Sequence, residues 1–196
     1  MGKMILVTGG ARSGKSAFAE KLARESGGKV AYIATAEAWD AEMEHRIALH
    51  RSRRPSDWQT YEAPREAAEV IREAGKGHKV ILFDCVTIYL SNLLCREAEP
   101  YDEAKLAALV QGEMASLIEA VQGLPEETAV LFVTNEVGAG IVPENRLAGG
   151  HALDVAQHRL AGFGGVWRHR LCGHQPSLRC VWRARRHSRG RGARSA

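Results

Sequence analysis

Gly9-Gly10-Ala11-Arg12-Ser13-Gly14-Lys15-Ser16 spells the pattern G-x-x-x-x-G-K-[ST] without a mismatch. Its neighbours supply the context the pattern needs. Upstream, Met4-Ile5-Leu6-Val7-Thr8 is a short apolar run; downstream, Phe18 and Leu22 stand one helical turn apart. The loop therefore joins a strand to a helix. Glycines at 9, 10 and 14 let the backbone wrap a polyphosphate, so that successive N–H groups and the positive end of the following helix face its oxygens. Lys15 would reach the β and γ phosphates, and the Ser16 hydroxyl would ligate Mg²⁺. A nucleotide is expected here; the alternative is a plain Gly-rich turn.

Outward from the loop, Ser26-Gly27-Gly28 stops the first helix and residues 29–35 read as a second strand. In a doubly wound sheet, ligands lie beyond the carboxyl ends of the strands, so Ala34, Thr35 and Ala36 emerge beside the phosphate loop. Asp40 is the expected N-cap of a helix over residues 41–51. Glu42, Arg46 and His50 follow one another at four-residue spacing on one side of it, beside Met43 and Ile47, whereas His45 falls on another side and is expected in solvent. Position alone leaves His50 either packed or catalytic. Arg51, Arg53 and Arg54 are a solvated charge run or a phosphate clamp.

Pro55 and Pro64 bracket a loop with one extended piece, and residues 65–74 read as a helix. Residues 79–84 form a buried strand ending in Asp84, which either holds Mg²⁺ or caps the next helix. That helix, residues 87–95, contains Asn92. A long amphipathic helix over residues 101–122 carries Leu106, Leu109, Met114, Leu117 and Ile118 on its apolar side. Residues 128–134 are another buried strand, followed by a polar, glycine-rich loop from Asn135 to Arg146 at the ligand end of the sheet. Strands alternating with helices after a phosphate loop predict an α/β fold, P-loop NTPase-like, with a mostly parallel central sheet and helices on both faces.

The 196 residues, 45% apolar and 26% charged, suit a globular protein with one core. No apolar run is long enough for a membrane span and the chain enters a strand at once, so a cytoplasmic protein is expected. Cys85, Cys95, Cys172 and Cys180 have neither C-x-x-C pairing nor metal-ligand spacing with histidines, which argues for reduced thiols and against a zinc site. Charge divides the chain in two. Residues 1–148 hold 17 Lys+Arg against 22 Asp+Glu, a net of −5; residues 149–196 hold 10 Arg and only Asp154, a net of +9.

Taken together, the phosphate loop, Glu42-Met43-x-x-Arg46-Ile47-x-x-His50, Arg54-Pro55-x-x-Trp58, Thr60-x-Glu62-x-Pro64, Asp84-Cys85 with Ser91-Asn92-Leu93-Leu94, and Thr134-Asn135-Glu136-Val137-Gly138 through Ile141-Val142-Pro143-Glu144-Asn145-Arg146 resemble the bifunctional adenosylcobinamide kinase/adenosylcobinamide-phosphate guanylyltransferases of cobalamin biosynthesis. The motifs span residues 3–148. The resemblance implies ATP or GTP as phosphate donor to adenosylcobinamide, then transfer of GMP from GTP to adenosylcobinamide phosphate, with Mg²⁺ as cofactor. It implies that His50 is the nucleophile carrying GMP and that Lys15 assists catalysis. It implies nucleotide contacts from Gly9, Gly10, Ala11, Arg12, Ser13, Gly14, Lys15 and Ser16, from Ala34, Thr35 and Ala36, from Arg51, Ser52, Arg53 and Arg54, and from Glu62 and Asp84. Ser16 and Asp84 would hold the metal. A homotrimer is the implied assembly.

Past Ala148 the motifs stop. The chain is therefore divided into a nucleotide-binding catalytic part, residues 1–148, and an atypical Arg-rich segment, residues 149–196, in which only residues 152–163 have a helical pattern. Three readings compete for this segment: a late reading-frame shift, a genuine basic tail and a strongly diverged ending. Arg, Gly, Ala and Cys without Lys is the composition expected of a G+C-rich gene read out of frame and favours the first, which would remove the closing part of the core on which oligomerisation and activity depend. Two other functions compete with the family reading: a plain small-molecule kinase in which His50 only packs, and a nucleic-acid binder using the basic segment. The second lacks a recognition module and has only Trp167 and Trp182 as interleaved aromatics, so nucleic acid is not the expected partner.

Overall fold

The computed structural model describes residues 1–10, 13–38, 41–97, 102–135 and 165–168, the last by backbone alone and without the side chains of Glu42, Arg46 and Arg53. In chain order the elements are β1 (Lys3–Gly9), α1 (Lys15–Glu25), β2 (Val30–Ala34), α2 (Ala41–Arg53), β3 (Gln59–Glu62), α3 (Ala67–Ala74), β4 (Val80–Asp84), α4 (Val86–Leu94), α5 (Glu103–Gln122), β5 (Ala129–Asn135) and β6 (Gly165–Arg168). The strands form one sheet in the order β3-β2-β4-β5-β1-β6. Every pairing is parallel, so all the strand ends gather at one edge. This is the expected P-loop NTPase-like α/β architecture.

Strands buried on both faces need apolar side chains at every position, and the two-residue alternation sends them to two cores. Met4, Leu6, Ala31, Ile33, Ile81, Phe83, Val130 and Phe132 pack on one face with α3, α4 and α5. Val7, Val30, Tyr32, Val80, Leu82, Leu131 and Val133 pack on the other with Ala19 and Ala23 of α1. Asp84 and Ala34 share the parity of Tyr32 and Leu82, so they look toward α1 and the phosphate loop. That parity is what builds the site. None of the described side chains of α2 joins either core.

Helix starts differ from the sequence reading by local chemistry. Glu66 takes a left-handed conformation at φ 54°, so α3 begins at Ala67, two residues later than expected. Asp102 caps α5 by accepting from the Ala104 and Lys105 amides at 2.9 and 3.1 Å, which sets its start at Glu103. Asp84 does not cap α4: that position belongs to Cys85, without a side-chain bond, and the Asp84 carboxylate is free to face the site. Asp40, Tyr101, and residues 136–146 and 152–163 lie outside the described residues. Residues 165–168, in the segment set apart by its charge, extend the sheet as a parallel neighbour of β1. No helix among the described residues is long and apolar enough to cross a membrane.

Candidate active site

The turn from β1 into α1 places Lys15 and Ser16 at the helix start. Gly14, at φ 80°, adopts a conformation that a side chain would strain, and as the N-cap residue of α1 it offers the first amides no side-chain cap. Lys15 is 8% exposed and its Nζ donates to the Gly10 carbonyl at 3.1 Å. Burial lowers its pKa, while Cys85 and Asp84 oppose that shift. A lysine so desolvated gains from meeting phosphate.

Asp84 ends β4 across from the loop. Ser16 Oγ donates to Asp84 Oδ1 at 3.3 Å, and the Tyr32 hydroxyl donates to Oδ2 at 2.7 Å. Burial, and then the Asp84 charge, push the Tyr32 phenol far above its ordinary range, so it stays a donor. Hydroxyl and carboxylate are hard oxygen donors, the set Mg²⁺ prefers. The described residues contain no group of three His, Cys, Asp or Glu that would cage a metal. A cation held by Ser16 and Asp84 together with nucleotide phosphates fits this arrangement. Buried Ser13 Oγ and Arg54 Nε, which have no hydrogen-bond partner among the described residues, are further polar atoms suited to a polar ligand.

The floor is tied by buried hydrogen bonds. Thr35 Oγ1 accepts from the Cys85 amide at 2.8 Å and donates to the Cys85 carbonyl at 3.0 Å. Asn92 Nδ2, from α4, donates to the carbonyls of Thr35 at 2.7 Å and Pro64 at 3.2 Å. Arg65 pairs with Glu37 at 2.8 Å. The loop after β2 is thereby held to Cys85 at the end of β4, and the loops after β2 and β3 are held to α4 and to each other.

Above this floor lies a cleft of about 590 Å³. Of the residues singled out in the sequence, Lys15, Ser16, Ala34, Ala36, His50, Arg51, Arg54, Glu62 and Asp84 line it. His50 is half-buried, and His45 is exposed as expected. Glu20, one turn beyond Ser16, has its carboxyl pKa raised by burial and by Asp84, with His50, Arg24 and Arg54 opposing. Arg51 pairs with Glu62 at the rim. Arg54 lays its guanidinium 3.6 Å over the Tyr32 ring and reaches Thr60 Oγ1 at 3.4 Å.

Thr35 is fully buried beneath the lining. Gly9 closes β1, with Gly10, Ser13 and Gly14 in the turn behind Lys15. Ser52 is not among the lining residues: its hydroxyl donates to the Leu49 carbonyl at 3.0 Å, and it lines an adjoining depression that shares Ala38, Ile47 and Arg51 with the cleft. Ala11 and Arg12, and the Arg53 side chain, lie outside the described residues. Sequence reasoning missed Tyr32, Glu37 and Ile88 as lining residues, while Asn135, the first residue of the loop read as lying at the ligand end, does line the cleft. For Tyr32 the available signal was parity, since it stands two residues before Ala34 on the strand beside Asp84.

The structure resembles an ATPase of a bacterial type III secretion system at TM-score 0.51 and 14% identity, covering 86% of this chain and 52% of that one, a likeness of fold alone. In sequence the chain is 44% identical over 144 residues to the bifunctional adenosylcobalamin biosynthesis protein CobP of Pseudomonas aeruginosa, covering 73% of this chain and 77% of that protein. It is 43% identical over 173 residues to the bifunctional adenosylcobalamin biosynthesis protein CobU of Escherichia coli, covering 84% and 93%. The family model for cobinamide kinase / cobinamide phosphate guanyltransferase matches residues 5–157, past the last motif residue read in the sequence. With its phosphate loop, its Ser16–Asp84 contact and its cleft-lining histidine set on a parallel sheet, and with this match over most of its length, the chain belongs to the cobinamide kinase / cobinamide phosphate guanyltransferase family.

Proposed function

We propose that this protein phosphorylates adenosylcobinamide with a nucleoside triphosphate and then transfers GMP from GTP to the resulting phosphate through a guanylyl-His50 intermediate. The observation that carries the transferase half is that His50 lines the same cleft as Lys15, Ser16 and Asp84. Family membership supports both halves.

In the first half, the substrate hydroxyl oxygen attacks the γ phosphorus, its proton is released, and the bond to the β-phosphate oxygen breaks to leave a nucleoside diphosphate. Lys15 and the loop amides receive the charge that develops on the departing oxygen. In the second half, a neutral imidazole nitrogen of His50 attacks the α phosphorus of GTP, forming a P–N bond as the bond to pyrophosphate breaks. A phosphate oxygen of adenosylcobinamide phosphate then attacks the same phosphorus, the P–N bond breaks, and His50 is regenerated. Splitting the transfer spares the enzyme a direct encounter of two highly charged phosphates. Mg²⁺, held by Ser16 and Asp84, would neutralise phosphate charge. Arg51 and Arg54 are cationic groups on the helix side of the cleft, suited to phosphate oxygens.

Incubation with GTP labelled at the α phosphate tests the reading. An acid-labile, alkali-stable protein adduct that disappears in His50→Ala is expected; no adduct would leave a simple kinase. The same proposal includes a homotrimer working in the cytoplasm, and light scattering at three times the chain mass is the expected result.

A further inference from the structure

Tyr32 is 2% exposed, yet it lines the cleft and touches two parts of the phosphate machinery. Its hydroxyl holds the Asp84 oxygen that Ser16 leaves free. Its ring carries the Arg54 guanidinium at 3.6 Å and stacks on Trp58 at 6.5 Å and 30°, with Arg24 on that indole at 5.8 Å. A buried tyrosine hydroxyl needs a partner, and any carbonyl of the sheet edge would satisfy it. Here the partner is the carboxylate at the tip of β4. Among the described residues Arg54 forms no ion pair; its planar cation rests on an aromatic face, which orients it without neutralising it.

We propose that Tyr32 is a positioning residue for both halves of the triphosphate site: its hydroxyl sets the Asp84 carboxylate for a divalent cation, and its ring seats Arg54 toward the nucleotide phosphates. The first role rests on the reading of Ser16 and Asp84 as the metal-holding pair; neither role depends on guanylyl transfer. The two are chemically separable. Phenylalanine keeps the seat and loses the bond to Asp84, whereas leucine loses both.

The test uses the full chain and two binding measurements: Mn²⁺ followed by electron paramagnetic resonance, and a fluorescent GTP analogue titrated in EDTA. Losing a charge-assisted hydrogen bond to the carboxylate, Tyr32→Phe should weaken Mn²⁺ binding about 5- to 20-fold. Its metal-free nucleotide affinity should stay within about twofold of the parent. Tyr32→Leu should weaken Mn²⁺ similarly and nucleotide by about tenfold more than Tyr32→Phe. Arg54→Ala leaves the core intact and should reproduce the nucleotide loss with Mn²⁺ binding unchanged. Parental Mn²⁺ affinity in Tyr32→Phe would overturn the proposal, as would equal loss of both ligands in that variant or parental nucleotide affinity in Arg54→Ala. His50→Ala should bind Mn²⁺ like the parent, so a failed guanylyl adduct leaves this measurement standing.

Discussion

Cys85 shows how strongly single side chains are tuned at the end of β4. Burial first, and the adjoining Asp84 charge next, push its thiol up to about 12, against hydrogen bonds from the Ile88 and Thr87 amides and the nearby Lys15. At pH 8 only about one such thiol in ten thousand is ionised, and the thiolate is the reactive form. Iodoacetamide at that pH should therefore label exposed Cys95 readily and leave Cys85 unmodified in the native protein; peptide mapping by mass spectrometry checks this, and equal labelling would contradict it. Stability carries the same sign. The unfolded thiol ionises near 9 and the folded one near 12, so the unfolded chain holds fewer protons between those values and this group makes the fold less stable as pH rises through that window. Lys15, Ser16 and Asp84 were readable as site residues because a motif and a strand end mark them. Tyr32 was marked only by its parity with Ala34, and an aromatic in a buried strand has the same sequence signature whether it merely packs or also meets a carboxylate.

Elements were legible wherever period and burial agree. The strands β1, β2, β4 and β5 appear as apolar runs, and Met114, Leu117 and Ile118 of α5 are buried as their spacing requires. Boundaries were less so, because they hang on single interactions: the left-handed Glu66 and the Asp102 cap. The helix α4 has a role its sequence does not announce, which is to clamp two loops through Asn92. Asn92→Ala leaves the Thr35 and Pro64 carbonyls without that donor, and a loss of about 2–4 kcal/mol in urea unfolding is expected. Asn92→Asp should be worse, because a carboxylate would face two carbonyl oxygens. A change under about 0.5 kcal/mol for both would show that the clamp contributes little to stability.

For the molecule as a whole, one question is how the sheet is closed beside the phosphate-loop strand. β6 pairs with Ile5 to Thr8 of β1 and covers what would otherwise be an open edge next to the site. Deleting residues 158–196 should expose that edge, lower the unfolding midpoint and promote aggregation by light scattering; an unchanged midpoint and a clear solution would show that β6 is dispensable. The segment's charge had set it apart, yet four of its residues join the sheet, because backbone pairing is indifferent to a composition that hides strand propensity. Local chemistry alone sufficed for the phosphate loop with Lys15 and Ser16 and for the strand–helix alternation, since each depends on residue type at short spacing; it left His50 open between packing and catalysis and Asp84 between a metal and a helix cap. Strand order, the union of His50 with the loop across one cleft, and the pairing of Tyr32 with Asp84, 52 residues apart, belong to tertiary structure: they depend on which strands become neighbours and which face each side chain takes, and chain spacing does not encode either.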